Sequence, residues 1–357
     1  MPPPSADALL RWYDQHHRNL PWRAPIGQIA DPYHVWLSEI MLQQTTVKTV
    51  VPYYYHFLER FPTLTTLAHA ERDLVLATWA GLGYYSRARN LHACAQVIAQ
   101  RGGFPHDIPS LKSLPGIGPY TAAAIAAIAF GVPVVPVDGN VERITARIFN
   151  VNTPLPSARP LLTKLATTLN SDHEAQTRPH DFAQALFDLG ALICSPRTPT
   201  CGLCPWQQHC AAYAAGTAIV LPKKLPKIVR PQRYGVHFLV IDKAGSVLLR
   251  RRPENGLLAS MIELPGTEWH STPWSESEAL KISPVQTKWQ RAGIVHHVFT
   301  HFSLELVVYV GRVTHFSNQE VAKGFLLPFS QVSSQKRDVA IPSVMKKCLS
   351  LGLKVFT

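Results

Sequence analysis

The stretch LPGIGPYTAAAIAAIAFGVPVVPVDGN, residues Leu114–Asn140, joins a glycine-rich turn, an alanine-rich helical run and a single carboxylate. Gly116 and Gly118 fall where a tight turn with positive φ forms most easily, and Thr121 opens a helix that Pro133 must end. A turn at a helix N-terminus points backbone N–H groups outward, which predicts a seat for a phosphate or another anion. A plain helix-turn-helix packing unit is the alternative interpretation.

Length and charge set the broad class of the protein. A chain of 357 residues with 46% hydrophobic residues can form two or three cores. The formal net charge of +12 favours a polyanionic partner, either nucleic acid or an acidic membrane surface. The one long uncharged segment, residues 115–137, is interrupted by glycine and prolines, which argues against a membrane span. No export signal is visible at the N-terminus, so we expect a reducing cytoplasm.

Apolar residues recur three and four positions apart through the first two thirds of the chain. Examples are YHVWLSEIMLQQTTVKTVVPYYYHFL (residues 33–58), RDLVLATWAGLGYY (72–85) and DFAQALFDLGALIC (181–194). This spacing predicts helices with one face in a core. We therefore predict a mostly α-helical domain over residues 1–218.

A change in composition predicts a second domain. The segment LPKKLPKIVRPQR (residues 221–233) carries five basic residues, three prolines and no acid, which predicts a linker over residues 219–232. Beyond it, YGVHFLVI (234–241) and SVLLRR (246–251) flank DKAG as a hairpin. Apolar residues then alternate at period two: Phe302, Leu304, Leu306, Val308 and Val310. Residues 233–357 are predicted to be an α+β domain.

Four of the six cysteines fall within 17 positions in the spacing C-x6-C-x2-C-x5-C: Cys194, Cys201, Cys204 and Cys210. In an intracellular chain this spacing suits ligation of a soft metal better than disulfides. One wide gap followed by close ligands favours a [4Fe-4S] cluster, and zinc is the alternative. The other two, Cys94 and Cys348, are interpreted as buried small hydrophobic residues.

These motifs together resemble a known family. LPGIGPYTA (114–122), VDGNV (137–141) and the cysteine spacing resemble the helix-hairpin-helix DNA glycosylase superfamily. Within it, WLSEIMLQQTTV (36–47), WAGLGYYSRARNLH (79–92) and an additional C-terminal domain resemble the adenine DNA glycosylases of the MutY type. The similarity spans most of the first 220 residues and continues more weakly to the end. It implies a [4Fe-4S] cofactor and double-stranded DNA as the partner of a monomer.

Two carboxylates fit the chemistry that this resemblance implies. Breaking a purine N-glycosidic bond needs an acid at the leaving base and negative charge near the developing oxocarbenium ion. Glu39 lies among apolar residues of a helix opened by Asp31 and Pro32, where desolvation would raise its pKa, and is the predicted general acid. Asp138 is expected to stay ionised through solvent and backbone donors; by resemblance, it stabilises the cation or traps it covalently. A plain turn and a solvated helical glutamate are the simpler interpretations.

The resemblance also implies that Tyr120 and Asn140 assist Asp138. Tyr120 occupies the position where endonuclease III-like enzymes carry a lysine, and Schiff-base formation requires an amine. We therefore predict a monofunctional glycosylase that leaves an abasic site. A pyrimidine-lesion glycosylase of the endonuclease III type is the alternative within this chemistry.

Further residues match family positions that contact DNA: Arg23, Gln43, Gln44, Tyr84 and Gln184. Gln43, Gln44 and Tyr84 are predicted to probe or wedge the base stack around an extruded nucleotide. Arg23 and Gln184 are predicted to contact the adenine. A surface arginine, a helix-face glutamine and a tyrosine packed at a rim are the simpler interpretations.

The C-terminal region resembles the Nudix fold, with NGLLASMIELPG (255–266) matching the segment that opens its signature. No glutamate array of the R-E-x-x-E-E type follows Gly266, so we expect binding without hydrolysis. The resemblance implies recognition of 8-oxoguanine opposite adenine by a loop that Phe299, Thr300 and His301 match. Thr300 stands in place of the family's serine and keeps the hydroxyl while adding a methyl group. A strand residue with an incidental hydroxyl is the alternative.

The sequence therefore predicts a multidomain protein: an all-α helix-hairpin-helix glycosylase module with a cluster loop at residues 194–210, followed by an α+β Nudix-like domain. The expected function is removal of adenine mispaired with 8-oxoguanine or guanine. A non-catalytic iron-sulfur DNA sensor is an alternative from another class. It would keep the hairpin and the basic surface but need neither Glu39 nor Asp138.

Overall fold

The structure, a computed structural model, describes residues 4–226, 229–333 and 339–356. Residues 227 and 228 of the predicted linker lie outside the described residues. The chain divides into two compact units, one drawn from residues 1–54, 63–68 and 93–227, the other from residues 55–62, 69–92 and 228–357. The domain limits at residues 218 and 233 stay a prediction.

The chain is helical up to residue 214. The helices are α1 Ala6–His16, α2 Pro32–Leu42, α3 Val47–Arg60, α4 Leu64–Ala68, α5 Arg72–Trp79, α6 Ser86–Gln100, α7 Ile108–Lys112, α8 Pro119–Phe130, α9 Gly139–Ile148, α10 Arg159–Thr168, α11 His173–Thr177, α12 Pro179–Asp188 and α13 Ala211–Ala214. A π-helical turn, Leu189–Ile193, continues α12 toward the cysteines. The first unit takes most of these helices, and α5 belongs to the second.

Helix α8 is the centre of the first unit. It begins at Pro119 and ends at Gly131, whose φ of +66° gives the left-handed C-cap that glycine adopts without strain. Every residue of its interior, 121–129, is buried, and it packs against α2 and α12. The alanines predicted to allow close approach therefore lie against neighbouring helices.

The turn before α8 is only partly as predicted. Gly116 has a φ of +74°, which confirms the need for glycine at that position. Gly118 has a φ of −86° and is the N-cap of α8, so the predicted positive φ is wrong there. A β-region backbone is the usual N-cap conformation, because the chain has not yet entered the helix.

The second unit contains a mixed sheet. The remaining elements are β1 Gln232–Ile241, β2 Ser246–Arg251, β3 Ile262–Glu263, α14 Glu276–Lys281, β4 Gln290–Val298, β5 Ser303–Arg312, α15 Asn318–Val321, β6 Phe325–Pro328, α16 Phe329–Ser333 and α17 Ser343–Leu353. The strand order is β3-β2-β1-β5-β4, with β6 beside β2. Strands β1 and β5 are parallel, and β1 and β2 form the predicted antiparallel hairpin.

Alternation along β5 builds the core of this unit, as predicted. Leu304, Leu306, Val308 and Val310 are buried, and α17 packs over β4, β5 and β1. Cys348 of α17 is fully buried in this core, and Cys94 is fully buried in α6, which confirms the interpretation of both as small hydrophobic residues. Among the described residues, no helix is both long and apolar enough to span a membrane.

Candidate active site

A cavity of about 850 Å³ opens in the first unit, bordered by α2, α8, α12 and the start of α9. It is lined by eight of the residues singled out in the sequence: Arg23, Glu39, Gln43, Gln44, Tyr120, Asp138, Asn140 and Gln184. These residues come from separate stretches of the chain, so the tertiary fold alone brings them together.

Glu39 lies in the apolar helix that the sequence predicted. Asp31 caps this helix, since its side chain accepts a 2.7 Å hydrogen bond from the backbone N–H of Tyr33, and Pro32 occupies the first turn. Glu39 is only 6% exposed, and the hydroxyl of Tyr120 donates a 2.7 Å hydrogen bond to its Oε2. Burial raises the pKa of Glu39 to about 7, although the Tyr120 bond opposes the shift. The expected raised pKa is confirmed.

Asp138 is the N-cap of α9. Its carboxylate accepts hydrogen bonds from the backbone N–H groups of Asn140 at 2.9 Å and Val141 at 2.8 Å, and from the side-chain amide of Asn140 at 2.8 Å. The predicted backbone donors are therefore present. The side chain is half-buried, so solvent reaches it less than the turn sequence suggested. Burial raises the pKa of Asp138 above its ordinary value, although the three donors lower it.

Arg23 is fixed by a residue that the sequence analysis missed. Its Nη1 and Nη2 each donate a 2.7 Å hydrogen bond to the carboxylate of Asp188, which is fully buried in α12. Arg18, also missed, lines the cavity and binds the same carboxylate. The available signal was an aspartate directly after the apolar residues ALF (185–187) near the end of α12, because a buried carboxylate requires a cationic partner.

The predicted glutamines occupy different settings on the cavity wall. Gln184 is buried in α12, and its Nε2 donates to the carbonyl of His180 at 3.2 Å. Gln43 follows the end of α2 and donates to the hydroxyl of Thr121 at 3.4 Å. Gln44 is exposed and has a φ of +58°, a conformation that is uncommon for residues other than glycine.

A chain of hydrogen bonds leads from Asn140 to the first cysteine. Nη2 of Arg143 donates to Oδ1 of Asn140 at 2.9 Å, and its Nε donates to the carbonyl of Cys194 at 2.7 Å. The fully buried Arg147 brings its Nη1 to 3.2 Å from the Sγ of Cys194. The start of α9 and the cysteine segment are thus held together by two arginines.

The four predicted metal ligands line one apolar cavity of the first unit: Cys194, Cys201, Cys204 and Cys210. All four thiols are free and partly buried. Within the described ranges, no group of three or more His, Cys, Asp or Glu residues is drawn close enough to hold a single metal ion. Four thiols around one apolar cavity, with an arginine beside Cys194, are a donor set that fits a thiolate-ligated cluster with negative charge.

The second unit contains another cavity, of about 310 Å³, which Tyr84, Phe299, Thr300 and His301 all line. The hydroxyls of Tyr84 and Thr300 lie 2.8 Å apart in a hydrogen bond. Tyr84 is 45% exposed and has a φ of +48°, so its backbone is held in an uncommon conformation. The structure thus joins two residues that the sequence analysis placed in separate motifs.

The Nudix-like signature segment contributes one buried carboxylate, Glu263. It is occupied by Arg250, which donates to Oε1 at 2.8 Å, and by Arg252, which donates to Oε2 at 2.6 Å. Burial raises the pKa of Glu263, but His237 and the two arginines together hold it below its ordinary value. The carboxylate therefore serves an internal ion-pair cluster.

Comparisons with known proteins agree with this architecture. The model of the HhH-GPD superfamily base excision DNA repair protein matches residues 37–168, and a NUDIX domain model matches residues 236–351. The adenine DNA glycosylase of Homo sapiens is 35% identical over 361 residues, covering 85% of this chain and 66% of that protein. The adenine DNA glycosylase of Buchnera aphidicola subsp. Schizaphis graminum (strain Sg) is 31% identical over 354 residues, covering 96% of this chain and 97% of that protein.

A solved structure supports the same fold for the helical part. A thermostable thymine-DNA glycosylase is 28% identical, with a TM-score of 0.51, and the match covers 59% of this chain and 95% of that one. The predicted combination of a helical glycosylase module and a Nudix-like domain is confirmed. Together with relatives that match nearly end to end, these findings show that the chain belongs to the adenine DNA glycosylase family of the HhH-GPD superfamily.

Proposed function

We propose that this chain hydrolyses the N-glycosidic bond of adenine paired with 8-oxoguanine or guanine in double-stranded DNA. The observation that carries the proposal is a pair of carboxylates in one cavity with different surroundings. Glu39 is enclosed by apolar residues and bonded to Tyr120, whereas Asp138 is held by three hydrogen-bond donors. Relatives that are adenine DNA glycosylases support adenine as the base.

Glu39 is the proposed general acid. With a pKa of about 7, a large share of its carboxyl groups is protonated at neutral pH, so it can give a proton to a ring nitrogen of the leaving adenine. Tyr120 fixes the orientation of Oε2 through its hydrogen bond. Loss of adenine as a neutral base lowers the barrier to breaking the bond to the sugar.

Asp138 is the proposed stabiliser of the sugar cation. Its carboxylate lines the same cavity as Glu39, and the amide and backbone donors of Asn140 fix its position at the start of α9. A preorganised negative charge favours the oxocarbenium-like transition state. The carboxylate can also add to the anomeric carbon of the sugar, and water then displaces it to complete hydrolysis.

The proposed enzyme is monofunctional. Strand cleavage through a Schiff base needs an amine at the sugar. Tyr120 places a phenol where endonuclease III-like enzymes carry a lysine. Among the described residues that line the cavity, none is a lysine. The expected product is therefore an abasic site in an intact strand.

Recognition of the opposite base is proposed for the second unit. The Thr300 hydroxyl is bonded to Tyr84, so it is positioned as a donor or acceptor beside an apolar ring, Phe299. This arrangement suits a base edge that differs from guanine by one N–H group. Tyr84 is the proposed wedge in the base stack, and Gln43 and Gln44 are proposed to probe it beside the cavity.

The proposal includes a [4Fe-4S] cluster held by Cys194, Cys201, Cys204 and Cys210. When bound, the cluster crosslinks the loop and adds negative charge that Arg147 is placed to offset. The hairpin at Gly116 and Gly118 is the proposed seat for a DNA phosphate. A monomer acting on DNA in the cytoplasm completes the proposal.

Single-turnover cleavage of four duplexes tests the function. They pair adenine or thymine glycol with 8-oxoguanine or with the normal partner, and strand breaks are scored before and after alkali. We expect breaks only at adenine opposite 8-oxoguanine, and only after alkali. Breaks without alkali at thymine glycol would instead support the endonuclease III type.

Matched variants separate the enzyme from a DNA sensor. We expect Glu39→Gln and Asp138→Asn to lower the excision rate by roughly 10²-fold or more while duplex affinity persists. Glu142→Gln is the control, because Glu142 also lies in the first turn of α9 but pairs with Arg159. Binding without cleavage of any duplex by the unmodified chain would support the sensor and contradict our proposal.

A further inference from the structure

One carboxylate holds two arginines of the cavity wall. Asp188 is fully buried, and it accepts hydrogen bonds from the backbone N–H of Arg18 at 2.9 Å and from its Nε at 2.6 Å. It also accepts two bonds of 2.7 Å from Nη1 and Nη2 of Arg23. Four charge-assisted bonds to one carboxylate define its position and those of both guanidinium groups.

Burying the cluster of Asp188, Arg18 and Arg23 costs free energy. Removing charges from water costs several kcal/mol for each ion, and an apolar replacement often serves stability equally well. Asp188 does not line the cavity, whereas Arg18 and Arg23 both do. Its effect on a bound base must therefore pass through the two arginines.

The bonding pattern leaves part of Arg23 available. Its Nη1 donates to Asp188 and to the carbonyl of Arg18, and its Nη2 donates to Asp188. Within the described part of the chain, its Nε–H and the second Nη2–H have no protein acceptor. Those two N–H groups share one edge of the guanidinium, which can donate to an acceptor atom in the cavity.

We propose that Asp188 is a positioning residue of the active site, which fixes Arg23 and Arg18 on the cavity wall and sets the net positive charge that Glu39 faces. The proposal rests on the function proposed above and extends it to a residue outside the cavity. With two guanidinium groups and one carboxylate, the cluster carries a net charge of about +1.

The charges around Glu39 decide in which direction its pKa should move when the cluster is altered. Tyr120 reaches Glu39 from α8, Asp138 from the start of α9 and Arg23 from the segment before α2. Among these, Asp138 raises the pKa of Glu39, and Arg23 lowers it. Neutralising Asp188 removes the counter-charge of Arg23 and of Arg18, which both line the cavity that contains Glu39. The added net positive charge should favour the ionised form of Glu39 and remove the acid at lower pH.

Two substitutions move the net charge in opposite directions. Asp188→Asn changes it to about +2 and Arg18→Gln changes it to about 0. The first should move the titration of Glu39 to lower pH by about half a pH unit or more, and the second should move it to higher pH. Asp188→Glu keeps the charge and should restore the original midpoint. If Asp188→Asn does not fold, Arg18→Gln still tests the sign.

The titration is measured without relying on activity. In each background, the melting temperature is followed against pH and compared with the same chain carrying Glu39→Gln, so that the difference reports Glu39 alone. The alkaline limb of the single-turnover excision rate of adenine gives a second reading. Both readings should shift together.

Asp181→Asn is the matched control. Asp181 is also buried in α12 but is held by Arg178, and it does not line the cavity. Asp181→Asn should lower the melting temperature and leave the pH midpoint of the Glu39 titration unchanged. An unchanged midpoint in both Asp188→Asn and Arg18→Gln would overturn the inference. Shifted midpoints in a chain that excises no adenine would contradict the proposed function and support the positioning role.

Discussion

The hydroxyl of Tyr120 donates a 2.7 Å hydrogen bond to Oε2 of Glu39 inside the cavity that Asp138 also lines. The bond connects α8 with α2. Burial raises the pKa of Glu39 to about 7 against the lowering effect of this bond. Burial and the hydrogen bond act in opposite directions, and together they keep the pKa of the proposed acid near neutral pH. This balance makes the pH dependence of the enzyme a direct test of the site.

The excision rate should fall as the pH rises through about 7, because Glu39 loses its proton there. It should also fall at acid pH, where Asp138 becomes protonated, and that limb should lie above the ordinary pKa of an aspartate because burial raises it. Single-turnover rates between about pH 4 and 9 measure both limbs. Glu39→Gln should lose roughly 10²–10⁴-fold in rate. A flat profile through neutral pH would contradict the acid role.

Glu39→Gln should also stabilise the fold at alkaline pH. The pKa of Glu39 is about 7 in the folded chain and 4.5 ordinarily, so the unfolded chain loses its proton first as the pH rises. The stabilisation from protonated Glu39 is complete below pH 4.5 and is lost as the pH rises through 7. At pH 8 the variant should gain roughly 1–3 kcal/mol in free energy of unfolding, measured by urea denaturation. No gain at any pH would show that the burial of Glu39 is not costly.

Tyr120→Phe should move the alkaline limb of the rate profile to higher pH, because it removes a hydrogen bond that lowers the pKa of Glu39. Tyr120→Lys introduces an amine beside the same carboxylate and should permit covalent trapping on DNA with borohydride. Trapping is scored by a band of lower mobility on a denaturing gel. Tyr120→Phe is the matched control, and it should trap nothing.

Thr300→Ala should reduce the preference for 8-oxoguanine over guanine opposite adenine, because the hydroxyl bonded to Tyr84 is removed. We expect a loss of roughly 0.5–1.5 kcal/mol in discrimination, measured as the ratio of excision efficiencies on the two duplexes. Thr300→Ser keeps the hydroxyl and should keep the ratio. An equal loss of the ratio in Thr300→Ser and Thr300→Ala would show that the methyl group matters and the hydroxyl does not, and an unchanged ratio in Thr300→Ala would contradict the role of the hydroxyl.

Cys204→Ala should lose bound iron, because it removes one of four thiols around a single cavity. Iron content and visible absorbance of the purified protein measure this loss. Cys94→Ala is the control, since Cys94 is fully buried away from the four cysteines in sequence and should cost about 1 kcal/mol of stability while iron is retained. Zinc in place of iron in the unmodified protein would contradict the cluster.

Local sequence signals predicted several parts of the site. Asp31 and Pro32 start the helix that carries Glu39. The apolar residues around Glu39 predicted its burial. Helix α8 ends at Gly131, two positions before Pro133, which was predicted to end it. Such features depend on a few adjacent residues, whose backbone preferences and side-chain bonds act within one or two turns of chain.

The sequence by itself determined the helical and sheet regions, the cysteine spacing and the two carboxylates, because each is a local pattern. Only the tertiary structure decided that Asp188 holds Arg23, 165 positions away, and that Tyr84 meets Thr300, 216 positions away. It also decided that Asp138 is half-buried, which a turn sequence could not reveal. Burial and pairing at long range depend on how distant segments pack, and no local preference encodes that packing.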